Sequence, residues 1–449
     1  MVVRGDEVVA LPPLPGGPAE LDEVFRQVAA AAGRAAAAGL GNSGGGPREP
    51  GGPTVVTVDL SRLLLDAVLR AAPQPEQVAA IRIVPRPATD PVLARLPVAL
   101  LERLIGRRYT VAGGHDLLGN ELCPLDGDGV AKVCRELRDA GVRRIALVAA
   151  GSQVRTQHER AVADAVQAAL PDAVISAASD LGGQGLVARE ATVTLNCALG
   201  TLTDRLLTRC ETALARVAPG AVLRVARGDG GHGTPAQVRA LPVVALGATD
   251  ALELCGAAHL AGAEDCRVVL RRADGPVAGD VRSGLAVVRP GELAGVGTEL
   301  VVPAAVLAPA PTAPPVPASS DAGPGRDGDV AIVSPDRDPM QLACVGAAVS
   351  RPMAWLDEMA FIESAAGLER VRRDAEQRAT ALVMTAGAAH GTARLAEVST
   401  VAIPYSHPGV VRVRVRVAGT PGTAGTRSTA GTPGTGTPVP GVPGTAVAR

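Results

Sequence analysis

The sequence predicts an α/β protein with parallel strands, and three observations lead there. Between 130 and 176, helical and strand patterns alternate with short connections, as in layered α/β domains. Further helix and strand patterns follow over 206–225 and 240–261. Apolar residues make up 47% of the chain, enough to supply cores, although aromatics are only 1%. Phe25, Tyr109, Trp355, Phe361 and Tyr405 are the whole aromatic set, so Ala, Val and Leu must fill the interior.

Taken in order, Val130 to Ala140 reads as a helix closed by Gly141, and Arg143 to Ala149 as a buried strand. Gln157 to Leu170 places Val162, Val166, Ala169 and Leu170 at helical spacing and stops at Pro171. Ala173 to Ser176 is the next strand. Leu206 to Val217 reads as a helix and Ala221 to Val225 as a strand. Ala240 to Leu246 reads as a strand running into Gly247, with a helix over Ala251–Ala261. Val410 to Val417 alternates Val with Arg, the pattern of a strand with one wet face.

Composition narrows the function classes. Lys and Arg total 44 against 45 Asp and Glu, a net charge of −1, which gives no general attraction to nucleic acid or anionic membrane. No window approaches 18 to 20 consecutive apolar residues, so no spanning helix is expected. The start, Met1 to Glu7, lacks the basic and apolar regions of a secretory signal. Seven cysteines without a C-x-x-C pair suit reduced thiols in a cytoplasmic protein. Residues 29–53 (Ala/Gly-rich), 308–329 (Pro/Ala-rich) and 420–449 (Gly/Pro/Thr-rich) read as linkers and a disordered tail.

A series of motifs carries a resemblance. Gly113-Gly114-His115-Asp116 leads to Gly119-Asn120-Glu121 and Pro124-Leu125-Asp126; Gln157-His158-Glu159-Arg160 follows. Next come Gly185-Leu186-Val187-Ala188-Arg189-Glu190-Ala191 with Leu195-Asn196, then Gly228-Asp229-Gly230-Gly231, then Ala245-Leu246-Gly247-Ala248-Thr249. After the 308–329 linker stand Asp338-Pro339-Met340-Gln341-Leu342-Ala343-Cys344-Val345-Gly346-Ala347-Ala348 and finally Pro404-Tyr405 before the Val/Arg strand. In this order the motifs resemble the hydantoinase/5-oxoprolinase family (the hydantoinase A type subunit), over roughly 54–307 and 330–419. The resemblance implies an actin-like ATPase (ribonuclease H-like) two-lobed fold. It divides the chain into truncated first strands and linker (1–53), an N-terminal-like region (54–207), a second lobe (208–307), the linker (308–329), a C-terminal region (330–419) and the tail (420–449). It implies ATP- and Mg²⁺-dependent opening of a cyclic amide such as 5-oxoproline or a hydantoin, with a hydantoinase B type subunit or a second copy as partner. Such chemistry needs glycine-rich loops whose N–H groups cradle phosphates and aspartates that hold Mg²⁺.

The chain departs from that pattern where the phosphates would sit. It begins at Val2-Val3-Arg4-Gly5-Asp6, just after the point where the first phosphate loop should end. The second loop should follow Arg267–Leu270, but Arg271-Arg272-Ala273-Asp274-Gly275-Pro276-Val277-Ala278-Gly279-Asp280 stands there. Pro276 removes an N–H where a phosphate loop needs one, and the Pro/Ala linker replaces a further glycine-rich segment. ATP and Mg²⁺ binding is therefore expected to be lost or weak. The alternative role is a non-catalytic scaffold or regulatory subunit beside an intact relative. Candidate catalytic residues are Asp229 and Asp280. Candidate nucleotide-contacting residues are Gly230, Gly247, Asp274 and Gly275, and candidate substrate contacts are Arg189 and Glu190, which also read as a structural ion pair at a helix start. No metal site is expected: His115-Asp116 reads as a turn, and Asp126-Gly127-Asp128-Gly129 as a helix cap because Leu137 stands where a calcium loop needs glutamate. Cys123, Cys134, Cys197 and Cys210 read as inert thiols, and neither a G-x-x-x-x-G-K nor a G-x-S-x-G motif is present.

Overall fold

The computed structural model describes residues 2–4, 7–9, 23, 26, 55–70, 77–87, 98–293, 295–310, 331–403 and 406–422. The stretches 29–53, 311–329 and 423–449, read above as linkers and tail, lie outside them, as does Pro404-Tyr405. The described chain is α/β and two-lobed, the actin-like architecture expected.

In the first lobe, a short hairpin of β1 (Val2–Arg4) and β2 (Glu7–Val9) precedes β3 (Val55–Val58) and α1 (Ser61–Arg70). Then come β4 (Val78–Val84), α2 (Ala99–Leu104), β5 (Ile105–Ala112), α3 (Gly127–Asp139), β6 (Arg144–Ala149), α4 (Gln157–Ala169) and β7 (Val174–Ala177). The sheet runs β5-β4-β6-β7 with all strands parallel. Because side chains alternate along a strand, β6 feeds two cores at once. Ile145, Leu147 and Ala149 pack with Val133, Leu137, Val162 and Val166 of α3 and α4. Ala146 and Val148 pack on the other face with Leu195 and Leu199 of α5 (Leu186–Val217). Such double coverage is what parallel strands require. Asp126 caps α3, its Oδ1 accepting Gly129 N–H at 2.9 Å, which is the role its sequence suggested.

Helix α5 begins twenty residues before the helix expected at Leu206. Residues 189–199 are buried all round, so they show no apolar stripe. The polar side chains that obscure the pattern are satisfied inside. Thr192 Oγ donates to Ala188 O (2.7 Å) and accepts Val301 N–H (2.9 Å), and Asn196 joins Ser176 Oγ (3.1 Å) to Val243 N–H (3.2 Å). Beyond α5, β8 (Val222–Ala226) pairs in parallel with β3 and antiparallel with β9 (His232–Gly233), and α6 (Pro235–Ala240) follows behind a Thr234 capping box. The expected strand at Ala240–Leu246 is instead a 3₁₀ turn over Pro242–Ala245. Pro242 fixes a helical φ and offers no N–H to a ladder, and Val243, Ala245 and Leu246 go into the first-lobe core.

Next come α7 (Ala248–Leu260) and the second lobe's sheet of β10 (Cys266–Arg272), β11 (Gly275–Arg282) and β12 (Leu285–Ala286). A hairpin of β13 (Val288–Glu292) and β14 (Glu299–Ala305) follows, then β15 (Ala308–Pro309) on the edge of β11 and β16 (Ala331–Val333) parallel to β10. Ala308–Pro309 thus belong to a strand although the sequence placed them in the linker. Pro242–Leu260 has the length and apolar character of a membrane-crossing helix, yet it is largely buried in the core. Next, α8 (Pro339–Val349) lies against α7, and β17 (Met353–Phe361), α9 (Ala365–Thr385), β18 (Arg394–Ala402) and β19 (Val410–Ala418) close the chain. Their sheet is antiparallel in the order β17-β19-β18, with Val411, Val413, Val415 and Val417 under Ala375, Ala379 and Val383 of α9.

Helices α7 and α8 cross backbone to backbone. A Cβ at Gly256 would overlap Leu342 O, and one at Gly346 would overlap Leu252 O. Alanine exceeds glycine in helix propensity by about 1 kcal/mol, so a net loss on Gly256→Ala isolates the crossing. We expect that variant to lose about 1–2 kcal/mol through forced separation of the helices, read as a lower urea midpoint at unchanged slope. A variant at least as stable as the parent would show that the helices do not touch there.

Candidate functional site

The place where the two lobes meet is built from charged side chains. Just after strand β3, Asp59 accepts Ser61 N–H (2.8 Å) on one oxygen and the Thr249 hydroxyl (2.6 Å) on the other. Thr249 sits in the first turn of α7, just past Gly247. That glycine takes a left-handed φ of 72°, and a Cβ there would lie 2.9 Å from the Ala304 Cβ, so close approach and turn geometry both select glycine. One turn further on, Glu253 is fully buried and pairs with Arg62 of α1 (3.0 Å) and with Arg272 of β10, which also holds Asp250 (2.8 Å). Burial pushes the Asp59 and Glu253 carboxyls above their usual range; the Thr249 hydrogen bond and the Arg272 charge, respectively, oppose it.

The segment 271–280, where the resemblance led us to expect a phosphate loop, is a tight hairpin. β10 and β11 pair without a break from Cys266↔Val281 to Arg272↔Gly275, leaving only Ala273 and Asp274 in the turn. Asp274 is exposed, and Gly275 has φ 124° with open space around it. Asp280 faces back across the hairpin to Arg267 (2.8 and 3.1 Å), whose guanidinium holds its carboxyl below the usual range. Gly279 lies flat on α7, since a Cβ there would press into the Leu254 side chain at 2.6 Å. Asp280, Asp274 and Gly275 thus share a hairpin, while Asp229 and Gly230 lie in another turn.

Asp229 is completely buried. Its Oδ1 accepts Gly231 N–H (3.1 Å), its Oδ2 stands 2.8 Å from Arg227, and its carbonyl accepts Arg416 Nη2; Gly230, at φ 79°, completes the turn. Next to it, His232 is 2% exposed and meets Ser350 Oγ at 2.9 Å. The Ser350 hydroxyl donates to Ala347 O (2.7 Å), so His232 Nδ1 carries the hydrogen and Nε2 is left without a partner. Burial pushes this imidazole down to about 4.

Arg189 and Glu190, adjacent in sequence, do not pair with each other. Glu190 takes Arg82 of β4 and Arg108 of β5, and Arg108 also reaches Glu102. Arg189 instead donates to Ser152 Oγ (2.6 Å) and Gln153 Oε1 (2.8 Å). Ser152 in turn donates to Glu159 (2.6 Å), whose carboxylate also takes the N–H groups of Ala149 and Ser179. Both residues are 1% exposed and tie α5 to the sheet. A pair that sequence reading missed lies nearby. His158 Nδ1 accepts Gly114 N–H (2.8 Å), which directs its Nε2–H to Glu121 Oε1 (3.0 Å), with the His115 ring 4.3 Å away. The link joins two separate motifs, a contact that spacing alone does not reveal. Among the described residues no three His, Cys, Asp or Glu side chains converge as a metal-holding group.

The arginine face of β19 is not wet, contrary to its alternation. Arg412 and Arg414 both bind Asp357, which is 3% exposed, and Arg416 is equally buried, donating to Ala286 O (2.8 Å) and to Asp229 O. The face is covered by the rest of the molecule, and alternation cannot distinguish a solvated charge from a paired one.

Residues 90–170 match the family described as the hydantoinase/oxoprolinase N-terminal region. An ATP-dependent caprolactamase from Pseudomonas jessenii is similar in structure, with a TM-score of 0.64 at 12% identity over 95% of this chain and 86% of that one. A nucleotide-free acetone carboxylase superposes with a TM-score of 0.49 at 11% identity, over 80% and 79% of the two chains. No curated protein matches the chain. At this identity the caprolactamase likeness establishes the fold.

Two outcomes follow from these networks. Glu190→Gln leaves two nearly buried guanidinium groups short of a charge partner, and we expect a loss of about 3–5 kcal/mol in urea unfolding; a variant of parental stability would show that the pairs are not formed. For His232, the unfolded chain keeps its proton up to the ordinary pKa of 6.5, whereas the folded chain releases it down to about 4. Stability is therefore complete above about pH 6.5 and falls as pH drops towards 4, by roughly 3 kcal/mol from this residue. Unfolding midpoints measured from pH 7 to 4.5 should fall less steeply in His232→Gln than in the parent, and equal slopes would remove His232 as the cause.

Proposed function

We propose that this chain, which carries the hydantoinase/oxoprolinase N-terminal region on a two-lobed α/β fold, is built on the plan of ATP-dependent hydrolases of cyclic amides but no longer drives ring opening with a nucleotide. What supports the reading is the turn at Ala273-Asp274. A phosphate cradle needs several backbone N–H groups free to converge on one anion. Here the flanking residues pair strand to strand through Arg272↔Gly275, Pro276 has no N–H, and Gly279 is pressed on α7. The acidic groups nearest the junction are already engaged: Glu253 and Asp250 by arginines, Asp59 by a hydroxyl and an amide. The residues present do not fit a triphosphate with its magnesium at this hairpin. Phosphoryl transfer depends almost wholly on positioning and charge stabilisation, and a hairpin so paired offers little of either to a nucleotide. In this reading the protein keeps the architecture as a non-catalytic subunit.

The deciding measurement is inorganic phosphate release by the purified full chain with millimolar Mg-ATP, with and without 5-oxoproline, hydantoin or caprolactam. We expect the rate to stay at the buffer level in every case. Release stimulated by any of these rings would overturn the proposal.

A further inference from the structure

We infer that the cleft between the second-lobe sheet and the β18–β19 edge is a binding site for a small polyanion, a phosphate ester or a di- or tricarboxylate. It encloses about 430 Å³ and is lined by Arg282, Arg289, Arg351, Arg394 and Arg416 against a single acidic side chain, Glu397. Five cationic groups and one anionic group leave a local charge of +4, in a chain whose net charge is −1. Like charges gather in this way only at a cost, and a cleft with low-dielectric walls focuses their field on whatever enters it.

The arginines differ in how far they are engaged. Arg289 is paired with Glu397 at 2.8 Å, and Arg394 donates to the carbonyls of Gly391 and Ala393. Arg282 and Arg351 are exposed and make no ion pair among the described residues. Arg416 is the second, independent observation. It is 3% exposed, its Nε has no partner, and its other nitrogens reach only neutral groups, the carbonyls of Ala286 and Asp229 and the Met353 sulfur. The Asp229 and Glu397 carboxylates act on Arg416 only through space and neither forms an ion pair with it; a buried guanidinium that no carboxylate touches is incompletely compensated, and this one lines the cleft. Arginine matches phosphate and carboxylate alike through its planar fork of donors. The volume falls within the roughly 300–1,000 Å³ of small-molecule sites. Arg416 lines the cleft while almost fully buried, so a ligand that reaches it is a compact molecule and not an acidic protein surface.

The test is calorimetry on the full chain without magnesium, using inorganic pyrophosphate in one arm and propane-1,2,3-tricarboxylate in the other. At least one probe should bind saturably, and Arg282→Ala/Arg351→Ala should weaken it by about tenfold or more, as two lost charge-assisted contacts require. Both residues are exposed, so the variant is expected to fold, and Arg135→Ala/Arg138→Ala on the outer surface of α3 should bind as the parent does. Binding of pyrophosphate alone assigns phosphoryl ligands, and binding of the tricarboxylate alone assigns carboxylates. No saturable heat in either arm, parental affinity in the cleft variant, or an equal loss in the α3 variant would each overturn the assignment. These readouts do not depend on whether ATP is hydrolysed.

Discussion

A buried carboxylate must be paired, and Glu253 is the carboxylate on which the junction of the lobes depends. It is fully inside the protein, on the first turns of α7, and its two partners come from opposite directions: Arg62 from the helix after β3, Arg272 from the end of β10. Stranding such a charge costs several kcal/mol, so either partner's withdrawal is opposed. Beside it, Asp59 repeats the logic with a hydroxyl from α7. The lobes are thus held by contacts that run through the space between β3, α7 and β10. The same contacts engage Glu253, Asp250 and Asp59, the acidic groups nearest the junction.

The parts of this fold legible in the sequence are those with a single clear period. α3, β6 and α4 show a polar face or a short apolar run bounded by Gly141 and Pro171, and they fall within three residues of the expected limits. The first half of α5 gave no such signal, because a helix buried on every side has no stripe. Ala240–Leu246 is an apolar run that periodicity cannot assign to strand or helix, and the local chemistry of Pro242 decided it.

Site residues were legible only as far as local turns carry them. Gly230 and Gly247 do take left-handed backbone conformations, and Asp274 does stand in a turn that Gly275 leaves. Their partners were not readable, since Asp59 and Thr249 are 190 positions apart and Arg416 and Asp229 are 187 apart. Adjacency misled where it was trusted. Arg189 and Glu190 look like an ion pair in the sequence, but successive residues on a helix do not face each other, and each is satisfied by a different network.

Strand β19 shows why such non-local pairing matters more here than composition. Its valines lie beneath α9, so its arginines are turned towards the remainder of the molecule, where Arg412 and Arg414 are mostly covered and Arg416 is buried. Asp357, directly across the ladder from Arg414, answers two of them. The third makes no ion pair: Arg416 is held by the carbonyl oxygens of Ala286 and Asp229 and the Met353 sulfur, and the Asp229 and Glu397 carboxylates act on it only through space. Carbonyls orient a guanidinium without neutralising it, so the register that seats the C-terminal sheet also leaves one positive charge beneath a cleft already rich in arginine. An apolar side chain at 416 would have avoided the desolvation cost of that charge. The charge therefore makes physical sense when an anion completes it.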